Sequence, residues 1–339
     1  MKLIDHPQIA VTGGFGHAGC VFDELLASPG FANLCGMAPA YDGESLAGFL
    51  GHPWMKTVQI FDKVDDMLSR AQPDVLIVST RPDKIFSAAM AGLARGCHLI
   101  LEKPVGLNFE NLATLQGTAD KASLRIMAML SMRSFPTFIE ARDQIAKGAI
   151  GKTVLINTRK SYKWGTRPAW FNDRDKLGGL WPWIGIHNLD MAHFVTDLHA
   201  CKVSATQHNL AHPGLAGFAD VAAGIFEMEG GVRMTASIDV CRPGSAATWG
   251  DDWIRVVGSG GVLEASASTG IVTLLTEGCE VVQIECGTGP EPIYIPFLKS
   301  LNRPLGADEK PSDLATRLTS AALAADASAQ TGEWKCIAI

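Results

Sequence analysis

A chain of 339 residues that is 47% apolar can bury a full core and has length enough for two domains. Its formal net charge of −6, with no basic cluster, argues against a nucleic-acid surface or an anionic membrane as a partner. No apolar run approaches the ~20 residues of a membrane span. Met1-Lys2-Leu3-Ile4-Asp5-His6-Pro7 sets an acid and a proline where a secretory leader needs an apolar core, so a cytoplasmic protein is expected.

Ile9-Ala10-Val11 reads as a first strand, followed by the glycine-rich segment Gly14–Gly19 and a helix through Leu25-Leu26. Phe31 to Met37 is a second strand, Val64 to Arg70 a helix, and Val75 to Val78 a third strand. Ile85 to Arg95 has helical spacing, and Leu99 to Leu101 is the next strand. Strands alternating with helices predict a parallel, doubly wound sheet, and continuous apolar runs suit strands covered on both faces. After about residue 126 the texture changes. Val154–Ile156, Gly224–Met228, Arg233–Val240, Trp253–Val257, Val262–Glu264, Ile271–Leu275 and Val281–Ile284 are β-rich segments between glycine-containing turns. They predict an α+β domain with an open, mostly antiparallel sheet, closed by a helix over 314–329. The expected division is 1–125 and 126–339. None of the eight cysteines forms a C-x-x-C pair; several sit in apolar strand-like runs and read as reduced core residues, with no metal site expected.

Gly14-Phe15-Gly16-His17-Ala18-Gly19 is a G-x-G-x-x-G directly after a strand and opening a helix. The first glycine permits a tight turn, the second a close approach of backbone to a pyrophosphate, and the third close helix–strand packing. The helix N-terminus then offers N–H groups and partial positive charge to phosphates. An NAD-preferring site adds an acid about 20 residues on for the adenosine ribose. Here Met37-Ala38-Pro39-Ala40-Tyr41-Asp42 puts Ala38 or Pro39 at that place, with Asp42 a few residues late and no arginine for a 2′-phosphate. The cofactor is therefore read as NAD or NADP, and discrimination against NADP is expected to be weak. Further on, Leu99–Leu101 delivers Glu102-Lys103-Pro104 to the carboxyl end of a strand, where open α/β sheets bind ligands. A partly dehydrated lysine there suits proton exchange with a substrate hydroxyl.

With the glycine loop, Val78-Ser79-Thr80-Arg81-Pro82, Glu102-Lys103-Pro104 and the Gly178-Gly179…His187…Asp190 block assembled, the chain resembles the glucose–fructose oxidoreductase/inositol dehydrogenase (Gfo/Idh/MocA) family nearly end to end. The resemblance implies an N-terminal Rossmann domain and a C-terminal domain whose open sheet mediates homo-oligomers. It also implies hydride transfer between NAD(P) and a sugar, polyol or related hydroxyl compound. By analogy, Gly14, Phe15, Gly16, His17, Gly19, Thr80, Glu102, Lys103 and Pro104 bind the cofactor, and Lys103 and His187 carry proton transfer. The family places an acid four residues before that histidine; this chain has Trp183, which cannot accept a proton as a carboxylate does. Asp190, one helical turn after His187, is the residue that could orient the imidazole instead. Trp164-Gly165-Thr166-Arg167-Pro168-Ala169-Trp170-Phe171 offers aromatics and one arginine suited to sugar faces and polar groups, and reads about as well as a packed inter-domain loop. Arg167, Trp170, Trp183 and Asp190 are accordingly the candidate substrate residues. Arg133 reads equally as a hinge contact or a ligand. Two other readings stay open: a hydrolase or lyase of the same fold that uses the cofactor as a transient oxidant, and a nucleotide-dependent sensor without turnover.

Overall fold

The computed structural model describes residues 4–215, 217–287, 289–306 and 312–337. The chain divides into two compact units, Met1–Ser131 with Pro292–Thr319, and Met132–Glu291 with Ser320–Ile339.

The first unit is built on β1 (Gln8–Thr12), β2 (Asn33–Ala38), β3 (Val75–Val78), β4 (His98–Leu101) and β5 (Ile126–Ala128). They form one parallel sheet in the order β2-β1-β3-β4-β5. The strands are joined through helices α1 (Ala18–Leu26), α2 (Ala47–Leu50), α3 (Val64–Ala71), α4 (Pro82–Ala94) and α5 (Phe109–Ala122). Ile9, Val11, Val75, Ile77 and Ile100 are fully buried, as expected for strands covered on both faces. The order reverses between β1 and β3, so the loops after these strands part and leave a crevice at their carboxyl ends.

The second unit opens with α6 (Pro136–Ala146) and the eleven-residue β6 (Thr153–Lys163), then α7 (Arg174–Leu177) and α8 (Ile186–Thr196). β7 (Ala200–His208), β8 (Val221–Met228), β9 (Arg233–Arg242), β10 (Gly250–Gly258), β11 (Gly261–Ser266), β12 (Ile271–Thr276) and β13 (Val282–Glu285) follow. The strand pairs are antiparallel except β6 with β9. Alternate residues of β6 are buried, the period-two signature of a sheet covered on one face. α6 and α8 supply that cover. α8 is buried almost all round from Ile186 to Ala192, so every polar side chain it carries needs a partner. A π-helical turn, Trp181–Gly185, precedes it. A Cβ on Gly185 would lie 2.5 Å from the Trp181 ring and 2.8 Å from Ile238, so only glycine fits there.

The expected contiguous division needs correcting. After β13 the chain returns to the first unit as α9 (Tyr294–Ser300), then ends in α10 (Asp313–Thr331) and β14 (Lys335–Cys336), which pairs with β7. Tyr294, Ile295, Leu298 and Leu301 join Val21, Phe22 and Leu25 of α1 in one core. Glu24 on α1 accepts the N–H groups of Ile293, Tyr294 and Ile295 at 3.0, 3.1 and 2.5 Å, satisfying donors that a helix start leaves unpaired. The cysteine expectation also changes: all eight are free, but only Cys97 is buried, while Cys20, Cys241, Cys279 and Cys336 are exposed. Among the described residues no helix is long and apolar enough to cross a membrane.

Candidate functional site

In the first unit two backbone bonds pin the turn after β1. Gly13 N–H donates to Ala38 at 3.0 Å and Phe15 N–H to Ser79 at 3.1 Å. Gly13 has φ +96° and Gly16 φ +124°, conformations that side chains rarely tolerate. A Cβ on Gly13 would stand 2.3 Å from the Ser79 carbonyl oxygen, and one on Gly14 would stand 2.0 Å from that of Ser45. Gly13 lies outside the six-residue motif, though the adjacent glycines of Thr12-Gly13-Gly14 signal it. The role expected of Gly19 is not seen: a Cβ there meets nothing within 4 Å. Ala18, fully buried, makes the close packing at the start of α1.

Glu102 turns back under this loop. Its carboxylate accepts His17 N–H at 2.6 Å, lies 2.9 Å from His17 Nδ1, and accepts Lys103 N–H at 3.1 Å. Burial pushes the Glu102 carboxyl up, but the imidazole of His17 and the charge of Lys103 outweigh it and hold it below the usual range. A carboxylate at a helix N-terminus is also favoured by the helix dipole. The N-terminal N–H groups expected to be open are thus partly engaged: Ala18 N–H also donates to Ser79 Oγ at 3.3 Å. Thr80, Lys103 and Pro104 are buried beside these turns, Lys103 being only 3% exposed. Replacing Gly16 by alanine sets a Cβ 2.4 Å from Glu102 Oε2 and 2.8 Å from Ser79 Oγ at a strained φ. It should cost about 1–3 kcal/mol of stability and abolish high-affinity dinucleotide binding, read by denaturant melts and calorimetry. An unchanged affinity for dinucleotide would remove the loop from the site.

The place of the missing acid is filled from an unexpected direction. Ala38 ends β2 and Asp42 is exposed, but Glu44 returns to the strand end. Its Oε2 accepts Ala40 N–H at 2.7 Å, and its Oε1 accepts Thr80 Oγ1–H at 2.5 Å and Gly14 N–H at 3.4 Å. The turn that brings it back has Gly43 at φ +81° and Glu44 N–H donating to Tyr41 at 3.1 Å. Asp42-Gly43 is a turn signal legible in the sequence; its consequence for Glu44 is not.

In the second unit two polar residues of α8, Asn188 and Asp190, are met by side chains of other elements. Asn188 Nδ2 donates to Thr158 Oγ1 at 3.0 Å. Asp190, fully buried, takes Arg133 Nε at 2.7 Å and Nη2 at 2.6 Å on Oδ1. Its Oδ2 has no hydrogen-bond partner among the described residues, so the expected Asp190–His187 bond is replaced by an ion pair. Arg133 is thereby a structural partner of α8, and its guanidinium also lies over Phe194 at 5.2 Å. His187 itself is buried. Across the β6–β10 ladder, Lys160 and Asp252 are register partners, and Lys160 Nζ donates to Asp252 Oδ1 at 2.7 Å. That ammonium also sits 4.5 Å from the Tyr162 ring centre.

Arg167, Trp170 and Trp183 come together around Phe171, while Asp190 pairs elsewhere. The Arg167 guanidinium lies 5.1 Å from the Trp183 ring, 5.4 Å from Phe171, 5.6 Å from Trp249 and 5.9 Å from Trp164. Trp170 packs on Phe171 at 4.4 Å, and Phe171 meets Trp183 edge-on at 4.9 Å. Loss of hydration inside this group lowers the Arg167 pKa. The tryptophan in the acid's place is thus a wall of an aromatic box around a cation. Nearby, His212, Asp220 and Cys241 bring ligand-type atoms within 4.8 Å of one another. Asp220 Oδ2 already accepts Ala211 and His212 N–H at 2.6 and 2.8 Å, so it serves the loop.

Comparison with known proteins agrees with this anatomy. Residues 49–130 match the pattern described as oxidoreductase family, NAD-binding Rossmann fold, and residues 138–264 match the GFO/IDH/MocA C-terminal domain. The structure of a Thermotoga maritima protein described as an oxidoreductase superposes with a TM-score of 0.88 at 29% identity, covering 97% of this chain and 100% of that one. Inositol 2-dehydrogenase of Rhizobium meliloti is 26% identical over 81% of this chain and 77% of its own. A 2,7-anhydro-N-acetylneuraminate hydratase of Mediterraneibacter gnavus is 24% identical over 79% of this chain and 69% of its own.

Proposed function

The chain belongs to the GFO/IDH/MocA family of oxidoreductases, and from that premise we propose that it is a dehydrogenase or reductase acting on a CH–OH group of a sugar, polyol or related compound. The observation that carries the reading is Lys103, a buried lysine delivered by β4, next in the chain to Glu102, whose carboxylate accepts the lysine's backbone N–H and that of His17 at the glycine turn. The residues present fit a nicotinamide dinucleotide. Gly16 is exposed at the tip of the turn without a side chain to cover its backbone, with Thr80 and Lys103 at the neighbouring strand ends. When bound, the nicotinamide accepts or returns the hydride of the substrate carbon. Lys103 exchanges the hydroxyl proton, with His187 on α8 as the second proton-transfer group. Glu102 fixes the lysine's backbone, and proton transfer by such positioned groups contributes about 10²–10⁴-fold to rate. Arg167 and the rings of Trp170 and Trp183 supply a polar head among flat apolar faces, chemistry suited to a sugar ring and its substituents.

The hydratase among the relatives and the tryptophan at position 183 favour one second reading: a lyase that oxidises its substrate, eliminates or adds water, and reduces it again. A panel of sugars, polyols and their anhydro forms, followed at 340 nm and by mass spectrometry, separates the two. Net reduced nicotinamide establishes the dehydrogenase. Product formed without it establishes the lyase. Dinucleotide binding with no turnover across the panel would leave a sensor and end the proposal.

A further inference from the structure

We propose that Glu44 selects NAD over NADP in this protein, its carboxylate taking the adenosine ribose hydroxyls and rejecting a 2′-phosphate. The inference rests on the NAD-binding character of the first unit and goes beyond it to a residue that stands six places past the end of β2. At the strand end itself there is no acid: Ala38 and Pro39 occupy it. Glu44 nonetheless lies at the carboxyl ends of three strands at once. It is bonded to Ala40 after β2, to Thr80 after β3 and, at a long 3.4 Å, to Gly14 after β1. That is the corner where the first turn of a Rossmann unit and the acid after its second strand share the ribose. A carboxylate has about four acceptor positions. These three bonds leave room for a hydroxyl donor, and the long one to Gly14 is readily exchanged for it.

The surroundings carry the discrimination further. Two cations at this edge are committed to Asp83: Arg81, whose Nε and Nη2 reach it at 2.5 and 3.0 Å and whose guanidinium stacks 4.6 Å from the ring centre of Tyr41, and Lys84 at 3.5 Å. A 2′-phosphate here would meet the Glu44 carboxylate and find Arg81 already neutralised by Asp83. The charge that Ala38 lacks is therefore restored from the loop, and the weak discrimination expected from the strand end alone is reversed.

The test uses the full chain with ADP-ribose and 2′-phospho-ADP-ribose as probes, so that neither a substrate nor turnover is needed. Calorimetry on the wild type should show ADP-ribose bound about 10²-fold more tightly or better, since like charges brought together weigh heavily on recognition. Glu44→Gln, which keeps shape and an acceptor, should cut that ratio at least about tenfold, mainly by tightening the phosphorylated probe. Glu44→Asp, which keeps the charge, should weaken ADP-ribose while still rejecting the phosphate; it also serves if the glutamine variant disturbs the loop. Asp42→Asn should leave the ratio unchanged. Equal binding of both probes by the wild type, an unchanged ratio in Glu44→Gln, or a collapse of the ratio in Asp42→Asn would each overturn the proposal. Failure of the wild type to bind either probe would overturn the dinucleotide reading beneath it, a result distinct from binding without preference.

Discussion

Lys103→Ala is expected to lower kcat by about 10²–10⁴-fold, the usual worth of a positioned proton-transfer group, while dinucleotide affinity changes only a few-fold. The asymmetry follows from where the residue sits. The backbone N–H of Lys103 donates to Glu102, a bond that alanine keeps, so the turn and the carboxylate under the glycine loop persist. What is lost is the amine. His187→Ala should also slow turnover, by less, because Trp183, four residues before it, cannot take up a proton as a carboxylate does. Steady-state kinetics with the substrate found in the panel, alongside calorimetry with NAD, read the two effects separately. Near-normal kcat for Lys103→Ala would remove the lysine from the chemistry.

Arg133→Ala should destabilise the second unit by about 3–5 kcal/mol, the cost of leaving a buried charge without its partner. Asp190 is fully buried on α8, and Arg133 meets its Oδ1 with a hydrogen bond from Nε and an ion-pair contact from Nη2. Burial pushes the Asp190 carboxyl above the usual range, opposed by Arg133 and Lys160. A carboxyl raised in the folded state binds protons more readily folded than unfolded. Its ionisation therefore weakens the fold as pH rises through the folded value, and protonation relieves that loss as pH falls. Without Arg133 the rise is greater. The variant's deficit should then be largest near pH 8 and shrink towards pH 5 in urea melts. A deficit under about 1 kcal/mol, equal at both pH values, would mean that the pair contributes little.

Much of this architecture is written in short-range pattern. β3 is bounded at Val75 and Val78 where the apolar run begins and ends, and α1 closes at Leu26 as its spacing indicates. The glycine turn, Thr80 and Glu102-Lys103-Pro104 fall at strand ends because strands buried on both faces leave no doubt where they stop. Other parts are set by tertiary partners. β6 runs on to Lys163, well past its apolar start at Val154–Ile156, since Lys160 is carried inward by its bond to Asp252 on β10. α5, α6 and β7 lack a sharp apolar period and take their form from what they pack on. A helical argument offers Asp190 one partner, His187, and only the fold shows Arg133 taking it instead. Glu44 was invisible for a similar reason: a turn signal at Asp42-Gly43 tells that the chain reverses, not which side chain lands on Thr80.

The return of α9 to the first unit sets a timetable for synthesis. Residues up to Ser131 carry all five strands of the parallel sheet and both the glycine turn and Lys103. Yet the α1 core awaits Tyr294, Ile295, Leu298 and Leu301, and Glu24 awaits the three N–H groups at the head of α9. On a ribosome adding ~5–20 residues per second, roughly ten to thirty seconds separate the appearance of the half-built layer from its closing piece. During that interval α1 already packs on Ile9, Val11, Phe49 and Val75, and only the flank that α9 will cover stays open to solvent.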